Sequence, residues 1–151
     1  MASTPEETEA CGARLASTLP VHHSEALYVQ LHGDLGAGKT TLARGFLRAL
    51  GYSDLVRSPT YTLVESYALG AITVVHADLY RLRDPDEFVA LGLRDLAIPG
   101  HVWLIEWPQR AGRGLPEADL NVTLAVHPAY HSIDFAAGTA TGAQWLARVQ
   151  G

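Results

Sequence analysis

Apolar residues along the chain follow two spacings, one typical of helices and the other of buried strands. Cys11, Leu15 and Leu19 recur every four residues after Thr4-Pro5-Glu6-Glu7, which resembles a capping box with proline at the first helical position. Continuous apolar runs instead predict strands that are covered on both faces. In chain order, the pattern predicts a helix ending at Pro20, a strand at 26–31, a helix at 41–50, strands at 63–68 and 72–77, a helix from Asp84 to about Leu96 that buries Phe88 and Leu91, strands at 102–105, 120–126 and 132–135, and a short terminal helix containing Trp145.

A glycine-rich segment separates the first strand from the second helix. Gly33-Asp34-Leu35-Gly36-Ala37-Gly38-Lys39-Thr40 matches the phosphate-loop pattern G-x-x-x-x-G-K-[ST] at every fixed position. Lys39 is the only lysine among 11 lysine and arginine residues. We expect the loop amides, with Thr41 at the helix start, to bind phosphates, Lys39 to reach the β- and γ-phosphates, and Thr40 to bind magnesium. The segment does not match the dinucleotide-binding pattern G-x-G-x-x-G, because no third glycine follows Gly36 and Gly38 at the required position. The sequence therefore predicts binding of a nucleoside triphosphate.

The order of elements around this loop predicts the fold class. The strands at 63–68 and 72–77 flank a short Leu69-Gly70-Ala71 turn and are therefore expected to form an antiparallel hairpin. The strands at 26–31 and 102–105 read as parallel strands of a nucleotide-binding core. We predict one P-loop NTPase domain over residues 1–151, an α/β three-layer fold with a mixed, mainly parallel sheet and an antiparallel hairpin.

Two acidic residues follow apolar strands, where phosphate-loop proteins place the groups that hold magnesium or orient water. Asp78 follows the strand at 72–77, and Glu106 follows the more purely apolar strand at 102–105. Acids at strand ends are often turn formers or caps, but a phosphate loop in the same chain favours a role at the site. We assign Glu106 to the magnesium side and Asp78 to polarising the attacking water.

Other candidates carry two interpretations each. Thr60 and Thr62 occupy an irregular segment where hydrolytic switch proteins place a γ-phosphate-sensing threonine, although strand-entry threonines have the same appearance. Trp107 suits packing or an interface. Arg110 and Arg113 lie in a predicted flexible basic loop at 109–116, where they could stabilise phosphoryl charge, dock a partner or remain solvated.

Composition narrows the class of protein. The 151 residues are 48% hydrophobic and 18% charged, which is typical of a globular chain, and no apolar run approaches a membrane span. A signal-peptide layout is absent, so the cytoplasm is the expected location. The net charge of −5 argues against a broad basic surface for unaided nucleic-acid binding. The single cysteine, Cys11, excludes an internal disulfide, and the seven histidines lack metal-ligand spacing.

Four blocks of the sequence together resemble the TsaE family, also called YjeE, over a span from about Thr8 to at least Leu120. The resemblance implies a small bacterial ATPase that is required to install the threonylcarbamoyl group on adenosine beside the tRNA anticodon. It further implies that the protein joins TsaB and TsaD, meets tRNA within that complex, and uses ATP hydrolysis to ADP to reset the complex between turnovers. The blocks are 33–41, Ser58-Pro59-Thr60-Tyr61-Thr62-Leu63-Val64-Glu65, His76-Ala77-Asp78-Leu79-Tyr80-Arg81-Leu82 and Ile105-Glu106-Trp107-Pro108.

The resemblance also implies roles for individual residues. Thr8 matches a threonine expected near the nucleotide base, and Trp107 matches the tryptophan of the family's Glu-Trp pair. Asp78 matches the catalytically important aspartate, and Thr60 falls in the switch-like segment. Ala77 stands where the family usually has an aromatic residue, and this difference is expected to affect packing rather than chemistry.

Two other function classes compete with a partner-activated ATPase. A small-metabolite kinase would use Arg110 and Arg113 as a lid, but such an enzyme needs a substrate-binding insertion and few residues here are uncommitted. A nucleotide-gated adaptor with negligible hydrolysis is the third reading, since charge stabilisation lowers a barrier only in a complete site. Phosphate release with water alone separates an ATPase from a kinase, and activation by partners separates it from an adaptor.

Overall fold

The computed structural model describes residues 4–20, 25–57, 59 and 62–151, which form a helix-covered β-sheet. Two 3-10 helices, Leu93–Leu96 and Pro108–Gly114, precede and follow the fourth strand of the described chain. The helices and strands are α1 (Pro5–Ser17), β1 (Leu27–His32), α2 (Lys39–Ala49), β2 (Val64–Leu69), β3 (Ile72–Asp78), α3 (Pro85–Ala90), β4 (His101–Glu106), β5 (Leu120–Val126), β6 (His131–Ala137) and α4 (Ala140–Gln150).

Parallel strands form the centre of the sheet, and an antiparallel pair lies at each edge. The strand order is β2-β3-β4-β1-β5-β6. β1 pairs in parallel with β4 and with β5, and β3 pairs in parallel with β4. β2 with β3, and β5 with β6, are antiparallel. The predicted mixed, mainly parallel sheet with an antiparallel hairpin is therefore confirmed.

Two apolar cores cover opposite faces of this sheet. Leu15 of α1, Phe46 of α2 and Trp145 of α4 belong to one core, which also contains alternate residues of β3 and β4. Phe88 of α3 and Trp103 of β4 belong to the other core. Because side chains alternate along a strand, this arrangement fixes which residues at the ends of β3 and β4 face α2.

Local capping explains why the helices begin where they do. The side chain of Thr4 accepts a hydrogen bond from the N–H of Glu7 at 3.2 Å, and Pro5 occupies the first turn of α1. Asp84 caps α3 in the same way, accepting from the N–H of Asp86 at 2.9 Å. Both predicted helix starts are confirmed.

Two predicted helix ends and one predicted loop were wrong. The first helix ends at Ser17 rather than Pro20, and α3 ends at Ala90 rather than near Leu96. Gly92 adopts a φ of +65°, which breaks the helix and leaves Leu91 40% exposed instead of buried. The segment predicted as a flexible loop at 109–116 instead begins as the 3-10 helix Pro108–Gly114. Its Ala111 is fully buried in the core that also contains Phe88.

None of the helices within the described ranges has the length and apolar character that crossing a membrane requires.

Candidate functional site

The phosphate loop joins β1 to α2 at the edge of the sheet where the parallel strands end. Gly36 and Gly38 have φ values of +80° and +107°, a region that glycine adopts without a steric penalty. Gly38 is the N-cap of α2, and its carbonyl accepts the N–H of Leu42 at 2.9 Å. The loop therefore brings backbone amides and the positive end of the α2 dipole to one point, which is an anion-binding arrangement.

Lys39, the first residue of α2, is folded back over this loop. Its Nζ donates hydrogen bonds to the carbonyl of Gly33 and, at 3.1 Å, to the carbonyl of Asp34. The same ammonium lies 4.0 Å from the centroid of the Trp107 ring, within cation–π distance. Burial lowers the pKa of Lys39 from its ordinary value, and nearby carboxylates, Glu106 most strongly, oppose that shift.

Thr40 and Glu106 meet beside the lysine. Thr40 Oγ1 lies 3.2 Å from Glu106 Oε1 and 3.1 Å from Oε2. Glu106 is 3% exposed, and its Oε2 also contacts Nε2 of the fully buried His76 at 2.6 Å. A buried carboxylate needs such partners, because an unpaired charge away from water is costly.

Asp78 ends β3 directly beside Glu106. The two residues are partners in the parallel register of β3 and β4, so that both carboxylates emerge at the same edge. Oδ1 of Asp78 accepts the N–H of Tyr80 at 3.0 Å, which fixes the turn after the strand. The predicted placement of the two acids at strand ends is confirmed, and the structure shows that the two strands are neighbours.

An aromatic pair, Trp107 and Tyr80, lies beside the loop. Trp107 adopts a left-handed backbone conformation, with φ 57° and ψ 50°, and its ring centroid lies 4.9 Å from that of Tyr80. The guanidinium of Arg110 lies 5.4 Å from the Tyr80 ring centroid. Trp107 therefore lies between the cation of Lys39 and the aromatic ring of Tyr80, not in the apolar core alone.

Thr8 lies on α1 but reaches the phosphate loop. It is 3% exposed, and its Oγ1 donates to the carbonyl of Thr4 at 3.4 Å. A Cβ atom on Gly38 would lie 3.4 Å from Thr8 Cγ2. The first helix thus contributes a side chain directly next to the loop.

A cavity of about 410 Å³ opens among the loop, the two acids and the aromatic pair, and Thr8 is not part of its lining. Leu35, at the tip of the loop, is 67% exposed at its rim, whereas the Lys39 and Glu106 side chains are buried. Thr60 lies outside the described residues, and Thr62 hydrogen-bonds Glu65 at 3.3 Å. The cavity is lined by Asp34, Leu35, Gly36, Ala37, Gly38, Lys39, Thr40, Thr41, Asp78, Tyr80, Arg81, Glu106 and Trp107.

Comparison with known proteins places the chain in a family. The model of the family "Threonylcarbamoyl adenosine biosynthesis protein TsaE" matches residues 2–132. This chain belongs to the TsaE family. The family takes part in the biosynthesis of threonylcarbamoyladenosine in tRNA, as the names of the matching proteins state.

Relatives of this TsaE-family chain cover most of its length. The tRNA threonylcarbamoyladenosine biosynthesis protein TsaE of Haemophilus influenzae is 44% identical over 124 residues, which are 82% of this chain and 78% of that protein. The protein of the same name from Bacillus subtilis is 36% identical over 80% of this chain and 72% of its own length. The crystal structure of YdiB from Bacillus subtilis superposes with a TM-score of 0.74 at 27% identity, covering 97% of this chain and 89% of that chain.

The donor groups at this TsaE-family site fit a hard cation next to a phosphate. Thr40 and Glu106 offer a hydroxyl and a carboxylate within 3.2 Å of each other, beside the loop amides. Magnesium in nucleotide sites is held through one or two protein oxygens together with phosphate oxygens and water. These two residues could therefore hold magnesium, with the loop and Lys39 holding phosphates.

Three residues at or behind the cavity wall were given no definite role from the sequence. Tyr80 and Arg81 line the cavity, and His76 lies behind Glu106. All three residues belong to the family block around Asp78 and have no definite role assigned from the sequence. The available signal was a histidine within an otherwise apolar strand, two positions before the acid.

Proposed function

We propose that this chain binds ATP with magnesium and hydrolyses it to ADP and phosphate in the service of tRNA threonylcarbamoyladenosine biosynthesis. The observation that carries this proposal is the convergence of four side chains on one cavity. Lys39, Thr40, Asp78 and Glu106 come from three different elements and line that cavity together with the glycine-rich loop. A strand-end acid pair without a phosphate loop would not favour nucleotide chemistry.

Binding of the triphosphate is assigned to the loop and to Lys39. The loop amides and the α2 N-terminus offer hydrogen bonds and positive potential to phosphate oxygens. Lys39 would exchange its present bonds to the Gly33 and Asp34 carbonyls for charge-assisted bonds to phosphate. Magnesium, held by Thr40 and Glu106, would neutralise phosphate charge.

Hydrolysis is assigned to Asp78. Its carboxylate lines the cavity at the end of β3, beside the Glu106 strand end. We assign it to accepting a hydrogen bond from a water molecule, whose oxygen bonds to the γ-phosphorus as the bond to the β,γ-bridging oxygen breaks. The water proton passes to Asp78 or to phosphate, and ADP leaves.

The partners proposed for this activity are TsaB and TsaD, and the chain would meet tRNA only within that complex. The net charge of −5 supports an indirect role toward tRNA, because unaided binding to phosphate backbones requires a basic surface. The exposed Leu35 at the loop tip supports partner dependence, since it offers an apolar side chain at the rim of the cavity for contact with another protein.

The deciding experiment measures phosphate release from ATP by the purified chain, alone and with TsaB–TsaD and tRNA. We expect weak release alone and strong activation by the complex, both lost in Lys39→Ala. Arg48→Ala is the matched control, because Arg48 pairs with Glu9 on the α1–α2 surface and does not line the cavity. Absence of activation would favour an adaptor, and ATP consumption that requires an added hydroxyl acceptor would favour a kinase.

A further inference from the structure

His76 is a polar residue inside the sheet that the proposed chemistry does not use. It lies within β3, is fully buried, and belongs to the face that Val74 shares with α2. Among the buried side-chain atoms that the structure describes, only Nδ1 of His76 and Nδ1 of His101 have no hydrogen-bond partner. A buried polar group of this kind carries an energetic cost, so its presence calls for a compensating role.

The compensation lies at the other ring nitrogen. Nε2 of His76 is 2.6 Å from Oε2 of Glu106, and a carboxylate can only accept a hydrogen bond. An ionised Glu106, which a magnesium site requires, therefore takes its hydrogen bond from Nε2 of the ring. Nδ1 is then the ring nitrogen that has no partner among the described residues.

This contact restrains the side chain that faces Thr40. The Thr40 hydroxyl lies 3.2 Å from Oε1 and 3.1 Å from Oε2 of Glu106. Because one hydroxyl hydrogen is shared between both oxygens, this contact alone defines the orientation of the carboxylate only loosely. The imidazole is rigid and is fixed by its strand, in contrast to the three rotatable bonds of glutamate. The His76 contact involves Oε2, so it restrains one carboxylate oxygen and leaves the other unoccupied by the ring.

We propose that His76 is a positioning residue that holds the Glu106 carboxylate in the orientation needed to bind magnesium. This inference rests on the proposed function. His76 should therefore affect the affinity for the metal and not the binding of phosphate. Among the described contacts, His76 bonds to Glu106, whereas Lys39 bonds to the carbonyls of the loop.

The test compares His76→Gln with His76→Asn. The amide nitrogen of glutamine reaches the position of Nε2, whereas that of asparagine reaches the position of Nδ1, so only the first variant keeps the donor to Glu106. Binding of a fluorescent ADP is measured while Mg²⁺ is titrated, and the result is the Mg²⁺ concentration at which half of the change in ADP binding has occurred. Binding of the same ADP in the presence of a chelator is the metal-free reference. We expect H76N to weaken Mg²⁺ binding roughly tenfold or more, with H76Q close to wild type and metal-free binding unchanged in both.

Two further variants separate positioning from general damage. His101→Asn is the matched control, because His101 also carries a buried unpartnered Nδ1 but lies at the far end of β4 from the cavity. In a Glu106→Gln background, H76N should cause no further loss of Mg²⁺ affinity, since its effect passes through the carboxylate.

Contrary results fall into two distinguishable groups. Four results would each overturn the positioning role alone. The first two are wild-type Mg²⁺ affinity in H76N and equal losses of affinity in H76Q and H76N. The other two are an equal loss in H101N and additive losses in the variant that combines H76N with Glu106→Gln. If the wild-type chain itself shows no Mg²⁺-dependent nucleotide binding, the proposed function fails and this inference falls with it.

Discussion

Trp107 shows how one residue's backbone shapes the site. A non-glycine residue in the left-handed region costs about 1–3 kcal/mol, and such strain persists only where surrounding contacts hold it. Here the ring contacts the Lys39 ammonium at 4.0 Å and the Tyr80 ring at 4.9 Å. The strained residue directly follows Glu106, so the same turn that ends β4 places an aromatic ring over the Lys39 ammonium.

At the same scale, Asp78→Asn separates binding from hydrolysis. The amide oxygen can still accept the Tyr80 N–H, now at 3.0 Å, so the turn is retained while the carboxylate charge is lost. We expect nucleotide affinity near wild type and partner-stimulated turnover reduced roughly 100- to 10,000-fold. Titration calorimetry and phosphate release measure the two quantities.

The control for that variant is Asp86→Asn, an exposed change in the first turn of α3 that should leave both quantities unchanged. Turnover that survives in D78N at the wild-type rate would remove Asp78 from the mechanism.

The positions of candidate residues that depend on local spacing could be predicted from the sequence, and contacts that depend on strand register could not. Lys39 and Thr40 follow from the octapeptide, and the acids at 78 and 106 follow from apolar runs. The contact between His76 and Glu106 requires β3 and β4 to pair with Asp78 opposite Glu106, which is a long-range fact. No local pattern encodes that register.

At the scale of elements, α1 and α2 cross where two glycines allow the backbones to touch. A Cβ at Gly12 would lie 2.0 Å from the carbonyl oxygen of Leu42, and a Cβ at Gly45 would lie 2.0 Å from that of Glu9. Each contact is with backbone, so no side-chain movement can relieve it. The close approach also holds Thr8 against Gly38, which couples helix packing to the phosphate loop.

Gly45→Ala is therefore expected to separate the two helices. The substitution favours helix by about 1 kcal/mol, but overpacking against backbone costs about 3 kcal/mol and should dominate, for a net loss of roughly 2 kcal/mol in the free energy of unfolding. Urea denaturation measures it. Gly114→Ala is the matched control, since a Cβ there meets only Phe88 Cδ2 at 3.4 Å and Val89 at 3.6 Å. Equal stability of G45A and wild type would contradict the close crossing.

Element boundaries were predictable where a cap is encoded locally and were missed where a glycine changes the backbone. Thr4 and Asp84 mark helix starts by their own side chains. The spacing of Phe88 and Leu91 suits a continuing helix, but Gly92 takes a positive φ and ends it. The 3-10 helix Pro108–Gly114 was missed because its local sequence is typical of a loop. Its helical form depends on tertiary packing, which buries Ala111.

At the scale of the whole molecule, the C-terminal helix is tied to the helix that contacts the phosphate loop. The Trp145 indole donates to the carbonyl of Leu15 at 3.2 Å, and Arg14 donates to the carbonyls of Val149 and, at 2.8 Å, Gly151. Sequence reading placed Trp145 in a terminal helix but not against α1. These contacts join α4 to α1, and the α1–α2 crossing joins both to the loop.

Ligand binding at the loop should therefore stabilise the entire described fold, not the loop alone. A ligand at 100 times its Kd adds about 2.7 kcal/mol to the native state, which for a chain of this length raises Tm by roughly 5–10 °C. We expect Mg–ADP to give this shift in wild type and in Arg48→Ala, and to give none in Lys39→Ala. The comparison is of shifts, because removing the buried lysine alters the ligand-free Tm as well. A full shift in K39A would show that the nucleotide stabilises the protein from a site other than the phosphate loop.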